Sequence, residues 1–149
     1  MKVVDFLSIF IAVATVFCLA YSYGTIPDTI PIHYGIDGSA DGYGAKSSLW
    51  YQCVLLFALT FGFRWIGKHP SRFGFNHGKG TPTKANPKIE QRTKTFISVL
   101  GFVITLIIST TIQISGHSMT YIHPAIFLAM VLVPIAVVFW GIIYLAMVY

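Results

Sequence analysis

Charge is what this chain has least of. Only 10% of its 149 residues are Asp, Glu, Lys or Arg, against about 25% in an average soluble domain. Disordered chains are polar and charge-rich, so disorder is excluded. A water-soluble domain must cover about half its surface with polar groups, and ten basic and five acidic side chains cannot do that. Two cysteines, Cys18 and Cys53, cannot form a disulfide framework. No ionisable residue falls near the middle of any long apolar run, where pumps and secondary transporters keep proton relays and ion ligands. Paired carboxylates and a nucleophile beside a base are lacking too. The segment Gly74–Gly80 does not make a phosphate loop: three residues separate Gly74 from Gly78, and Gly80 follows Lys79 where Ser or Thr is needed. Neither catalysis nor a cofactor is expected.

What remains is apolar: 55% of the residues are hydrophobic and the mean hydropathy is +0.71. Four runs stand out, at about 3–23, 48–67, 95–115 and 122–147. Each is near the ~20 residues that an α-helix needs to cross a bilayer core. The strands of a barrel would alternate in polarity, and these runs do not. The chain therefore reads as an all-α integral membrane protein, one domain over 1–149, with four transmembrane helices in one bundle.

The first run is expected to stay on the protein. Ala20-Tyr21-Ser22 is not a small-x-small cleavage site, and the bulky Phe17 before Cys18 argues against a lipoprotein site. Ser8, Ala12 and Thr15 mark a face on which helices can pack closely. Both cysteines are expected as buried free thiols, and Pro134 is expected to kink the fourth helix. Asn86-Pro87 suits a helix start, so the third helix is expected to begin well before its apolar run.

Orientation follows from the basic residues. Between Arg64 and Lys94 lie eight Lys and Arg against Glu90 alone, whereas the 24–47 loop has Asp28, Asp37 and Asp41 against Lys46. Short basic loops stay cytoplasmic. The 68–94 loop and both termini are then inside, and the 24–47 loop and the short 116–121 loop outside. Trp50, Tyr51 and Tyr121 fall in the outer aromatic belt, with Trp65 and Tyr149 near the inner one. The basic loop reads as an anchor to anionic lipid; no nucleic-acid-binding motif accompanies it.

The informative segment is the first outer loop, rich in Pro and Gly. Pro27 and Pro31 force extended backbone, and Gly35, Gly38, Gly42 and Gly44 permit tight turns. Aromatic and charged residues are interleaved with them, so the loop is expected to be structured and to pack onto the helix ends. The pattern Ile30-Pro31-x-His33-Tyr34, then Gly38, Asp41-Gly42-Tyr43 and Lys46, resembles the unknown-function domain at the N-terminus of SdpI-type membrane proteins, over about residues 5–65. Ile26 and Asp37 depart from that pattern, where Leu and Asn are common. The resemblance implies a bacterial inner-membrane location and immunity to a secreted toxic peptide.

The candidate partner-binding or loop-structuring residues are Pro31, His33, Tyr34, Gly38, Asp41, Tyr43 and Lys46. His33 is expected to be a structural hydrogen-bonder, with Asp41 and Lys46 completing its network. A metal reading of this side would gather His33, His117 and His123, with Asp28 or Asp41 as a fourth ligand. A calcium reading would use Asp37, Ser39, Asp41 and Gly42 at the first positions of an EF-hand-like loop, but Ser48 stands where the bidentate Glu belongs. No metal is assigned. The function expected is recognition of a peptide or protein partner by the outer loop, in toxin immunity or stress signalling. The alternative is an accessory structural subunit of a larger membrane complex.

Overall fold

A computed structural model describes residues 2–73 and 87–147. Its elements are α1 (Lys2–Ser22), β1 (Thr29–Tyr34), β2 (Ala40–Ala45), α2 (Ser48–Lys68), α3 (Pro87–Gly116) and α4 (Pro124–Ala146). All four helices are long and apolar enough to cross a membrane, which makes this a multi-pass membrane protein. The two loops at one end of the bundle form its hairpin end. The other, where α2 runs into Lys68 and α3 begins, is its basic end.

α3 is the central helix and touches the other three. Its 30 residues exceed what a bilayer requires, because it starts at Pro87, eight residues before its apolar run. Asn86, the expected cap, lies outside the described residues. Against α3 pack α1 and α2. The buried face of α1 is Ser8, Ala12, Thr15 and Leu19, the small-residue face that the sequence marks. Small side chains let helix axes approach in lipid, where no hydrophobic force draws them together. Between α2 and α3 the hydroxyls of Thr60 and Thr105 lie 3.0 Å apart and hydrogen-bond inside the bundle.

α4 joins along α3. Gly141 is its one buried residue, and a Cβ there would lie 2.0 Å from the Phe96 ring. Near the basic end, Arg92 Nη1 donates to the Tyr144 carbonyl at 2.7 Å and its guanidinium sits 4.8 Å from the Tyr144 ring centre. The rest of α4 is exposed or half-buried apolar surface.

Two further features depart from the sequence reading. Cys18 is exposed on α1, whereas Cys53 on α2 is buried. At the basic end, Arg64 on α2 lies 3.7 Å from Asp5 on α1; this ion pair was not legible because the two charges sit near the ends of different helices.

Candidate functional site

The loop between α1 and α2 is a two-stranded antiparallel β-hairpin. The sequence reading expects a structured loop with extended backbone at its prolines but names no strands, since two prolines and four glycines hide any alternation. A hairpin tolerates Pro31 because a two-stranded sheet has only edges. Pro31 pairs with Tyr43 and is buried. Its neighbour Ile30 is fully buried and enters the core with Leu19, Ile26, Leu49 and Ile112. The hairpin thus closes the top of the bundle instead of floating above it.

The base is fixed by Lys46. Its backbone N–H donates to the Asp28 carbonyl at 2.9 Å. Its ammonium lies 2.9 Å from the Asp28 carboxylate and donates to the Ile26 carbonyl at 3.2 Å. It also sits 5.3 Å from the centre of the Tyr23 ring. Lys46 is therefore spent on the hairpin base. It does not complete a network with His33, as the sequence reading expected.

The tip is fixed by Gly38, whose φ of +83° is a left-handed conformation that costs a side-chain-bearing residue energy. Its carbonyl accepts from the Ile122 N–H at 2.8 Å, and the Ala40 N–H donates to the Thr120 carbonyl at 2.8 Å. A Cβ on Gly38 would fall 2.0 Å from the Ile122 carbonyl oxygen. The α3–α4 connection consequently lies against the tip as a short bridge, Ser39 facing Tyr121. Tyr34 adds a third tie, its hydroxyl donating to the Met119 carbonyl at 2.8 Å. Partial burial raises the pKa of Tyr34, partly offset by the Ser115 hydroxyl. Within the turn, the Asp37 carboxylate accepts from the Ser39 N–H at 3.1 Å and from its hydroxyl at 2.8 Å. These bonds hold Asp37 below the usual carboxylate range.

Between the two fixed ends the strands bulge. The register slips between Pro31 and His33 and again between His33 and Tyr34, and bulges re-aim side chains. His33 is paired with Gly42, whose absent Cβ would lie 2.8 Å from the His33 Cβ. The bare strand lets the imidazole lie across it, and His33 Nδ1 meets a carboxylate oxygen of Asp41. The sequence reading made Asp41 a partner of His33, and the two are in contact. The pair is open to solvent, its side chains 72% and 51% exposed. A carboxylate can only accept, so Nδ1 is the donor in this contact.

Beside this pair opens a cleft of about 290 Å³. β1 contributes Ile32, His33 and Tyr34, α3 contributes Thr111 and Ile114, and α4 contributes Phe127, Met130 and Val131. Of the candidate residues, then, His33 and Tyr34 line a cleft and Asp41 orients one of them. Pro31, Gly38 and Lys46 hold the hairpin in place, and Tyr43 is exposed on β2. The other histidines are elsewhere. His123 caps α4, its Nδ1 accepting from the Ala125 N–H at 3.3 Å, and His117 is exposed beyond Gly116. Among the described residues no three His, Cys, Asp or Glu side chains are grouped to hold a metal. Sequence reasoning missed Ile36, Met119 and Thr120, because nothing local signals pairing across eighty residues.

A domain of unknown function (DUF1648) matches residues 9–60, the stretch from α1 through the hairpin into α2. No curated protein and no solved structure matches the chain.

Proposed function

We propose that this is a small bacterial inner-membrane protein whose hairpin lies outside the cell membrane and recognises a peptide or protein partner, in toxin immunity or stress signalling. One observation carries the reading: a hairpin tied at its base and tip, with the 119–121 connection against it, presents large apolar side chains that the bundle leaves uncovered. Ile36 at the turn is 91% exposed, and Tyr43, Met119 and Tyr121 are each about half exposed. Exposed apolar groups clustered on a rigid support mark interaction sites. The resemblance to SdpI-type proteins supplies the immunity half of the proposal, and the −2 balance of the loop against the basic 64–94 segment supplies its side of the membrane.

The second reading, an accessory subunit, draws on α4, whose apolar sides are almost wholly unburied. A photoreactive residue separates the two. Placed at position 43 in living cells, it should give a discrete adduct, while the same residue at 139 on α4 should give lipid only. A protein adduct from 139 and none from 43 would move the function to the helices. Purification in mild detergent should give a monomer or homodimer; a stable heteromer would favour the subunit reading.

A further inference from the structure

The cleft beside His33 has a direction. At its hairpin end stand His33, its partner Asp41 and Tyr34. Toward the bundle the lining turns apolar, through Ile114 and Phe127 to Met130 and Val131. At 1.5 Å per residue, Val131 lies roughly 10 Å along α4 from its first residue. The cleft therefore runs from the level where the helices start into the apolar stretch of α4. Its volume of about 290 Å³ is small for a ligand site, and a transmembrane helix would not enter it. A single flexible chain fits, and Met130, unbranched and adaptable, is a suitable wall for one.

The polar end also has a preference. The only basic residue of the loop, Lys46, is taken up by Asp28 and the Ile26 carbonyl. Asp41 therefore brings a half-exposed carboxylate to this end of the cleft, held against the His33 ring. With Lys46 engaged elsewhere, that carboxylate accepts an ammonium group in preference to a purely anionic head.

We propose that the cleft seats one acyl chain of an amine-headed phospholipid, with the amine at His33–Asp41 and the chain between α3 and α4. This goes beyond the partner reading and stands without it, since lipid is the solvent at this depth.

The test uses the full chain in phosphatidylcholine nanodiscs carrying phosphatidylethanolamine with a mid-chain diazirine. After irradiation, peptide mass spectrometry should place adducts mainly at Thr111, Met130 and Val131. Val54 and Phe139, exposed elsewhere, should carry few. Val131→Trp should fill the cleft and remove those adducts. Should that variant fail to fold, Asp41→Asn, exposed and isosteric, tests the head end alone. In native mass spectrometry the wild type should retain phosphatidylethanolamine over phosphatidylglycerol by about two- to fivefold, the size of a half-exposed ionic contact. Asp41→Asn should erase that preference. Adducts spread evenly over all lipid-facing positions, or equal retention of phosphatidylglycerol by the wild type, would overturn the proposal.

Discussion

Gly38 is the residue on which the hairpin's placement turns. Any side chain there must adopt an unfavourable φ and also displace the Ile122 carbonyl. Left-handed backbone costs about 1–2 kcal/mol. The two backbone bonds that tie the tip to 120–122 are worth about 1 kcal/mol each. Gly38→Ala should therefore free the tip while the helices stay inserted. Hydrogen exchange is the check: the Ala40 and Ile122 amides should exchange at least tenfold faster in the variant. His33 behaves differently because it is exposed. An exposed ionic pair contributes about 1 kcal/mol or less, so His33→Ala should hardly change thermal stability. If the outer surface recognises a partner, His33→Ala should weaken binding and His33→Gln should keep part of it, since Gln retains an acceptor. Binding that is unchanged in both variants would remove His33 from the site.

At the scale of elements, the helices were legible and the strands were not. Long apolar runs announce transmembrane helices whatever packs against them, and Asn86-Pro87 even placed the start of α3. The hairpin stayed hidden for physical reasons. Pro31 breaks the strand signal, the bulges beside His33 break the alternation, and the hydrogen bonds that fix the tip come from residues 120–122. Its residues could be named from the pattern, but not their division of labour: Lys46 and Gly38 fix the scaffold, whereas His33 and Tyr34 line the cleft and Asp41 holds His33. On α1 the small-residue face was readable and gives a clear expectation. Ala12 is fully buried against its neighbours and Leu55 on α2 is half exposed. Overpacking a filled core typically costs about 1–3 kcal/mol. Ala12→Phe should therefore lower the melting temperature in detergent well below that of Leu55→Phe; equal losses would mean that the α1 interface is slack.

Across the whole molecule, α1, α2 and the hairpin share one core through Ile30 and Ile112 of α3, and α4 is attached along α3. That arrangement was not legible, because α4 is apolar on every side and offers no stripe to aim. Its orientation in the membrane rests on charge alone. In a chain with Cys18 and Cys53 replaced, an impermeant thiol reagent on intact cells should label Tyr43→Cys and spare Lys79→Cys. Reversed labelling would turn the protein over and put the hairpin in the cytoplasm.

The central claim is that a hairpin held on the helix ends recognises a partner, and one experiment joins its structural and functional halves. A photoreactive residue at position 36 is placed in the wild type and in the Gly38→Ala background, and the adducts are compared in cells with equal amounts of inserted protein. The account predicts a discrete protein adduct in the wild type and its loss when the tip is freed. An adduct that persists undiminished in Gly38→Ala, or none in the wild type, would contradict it.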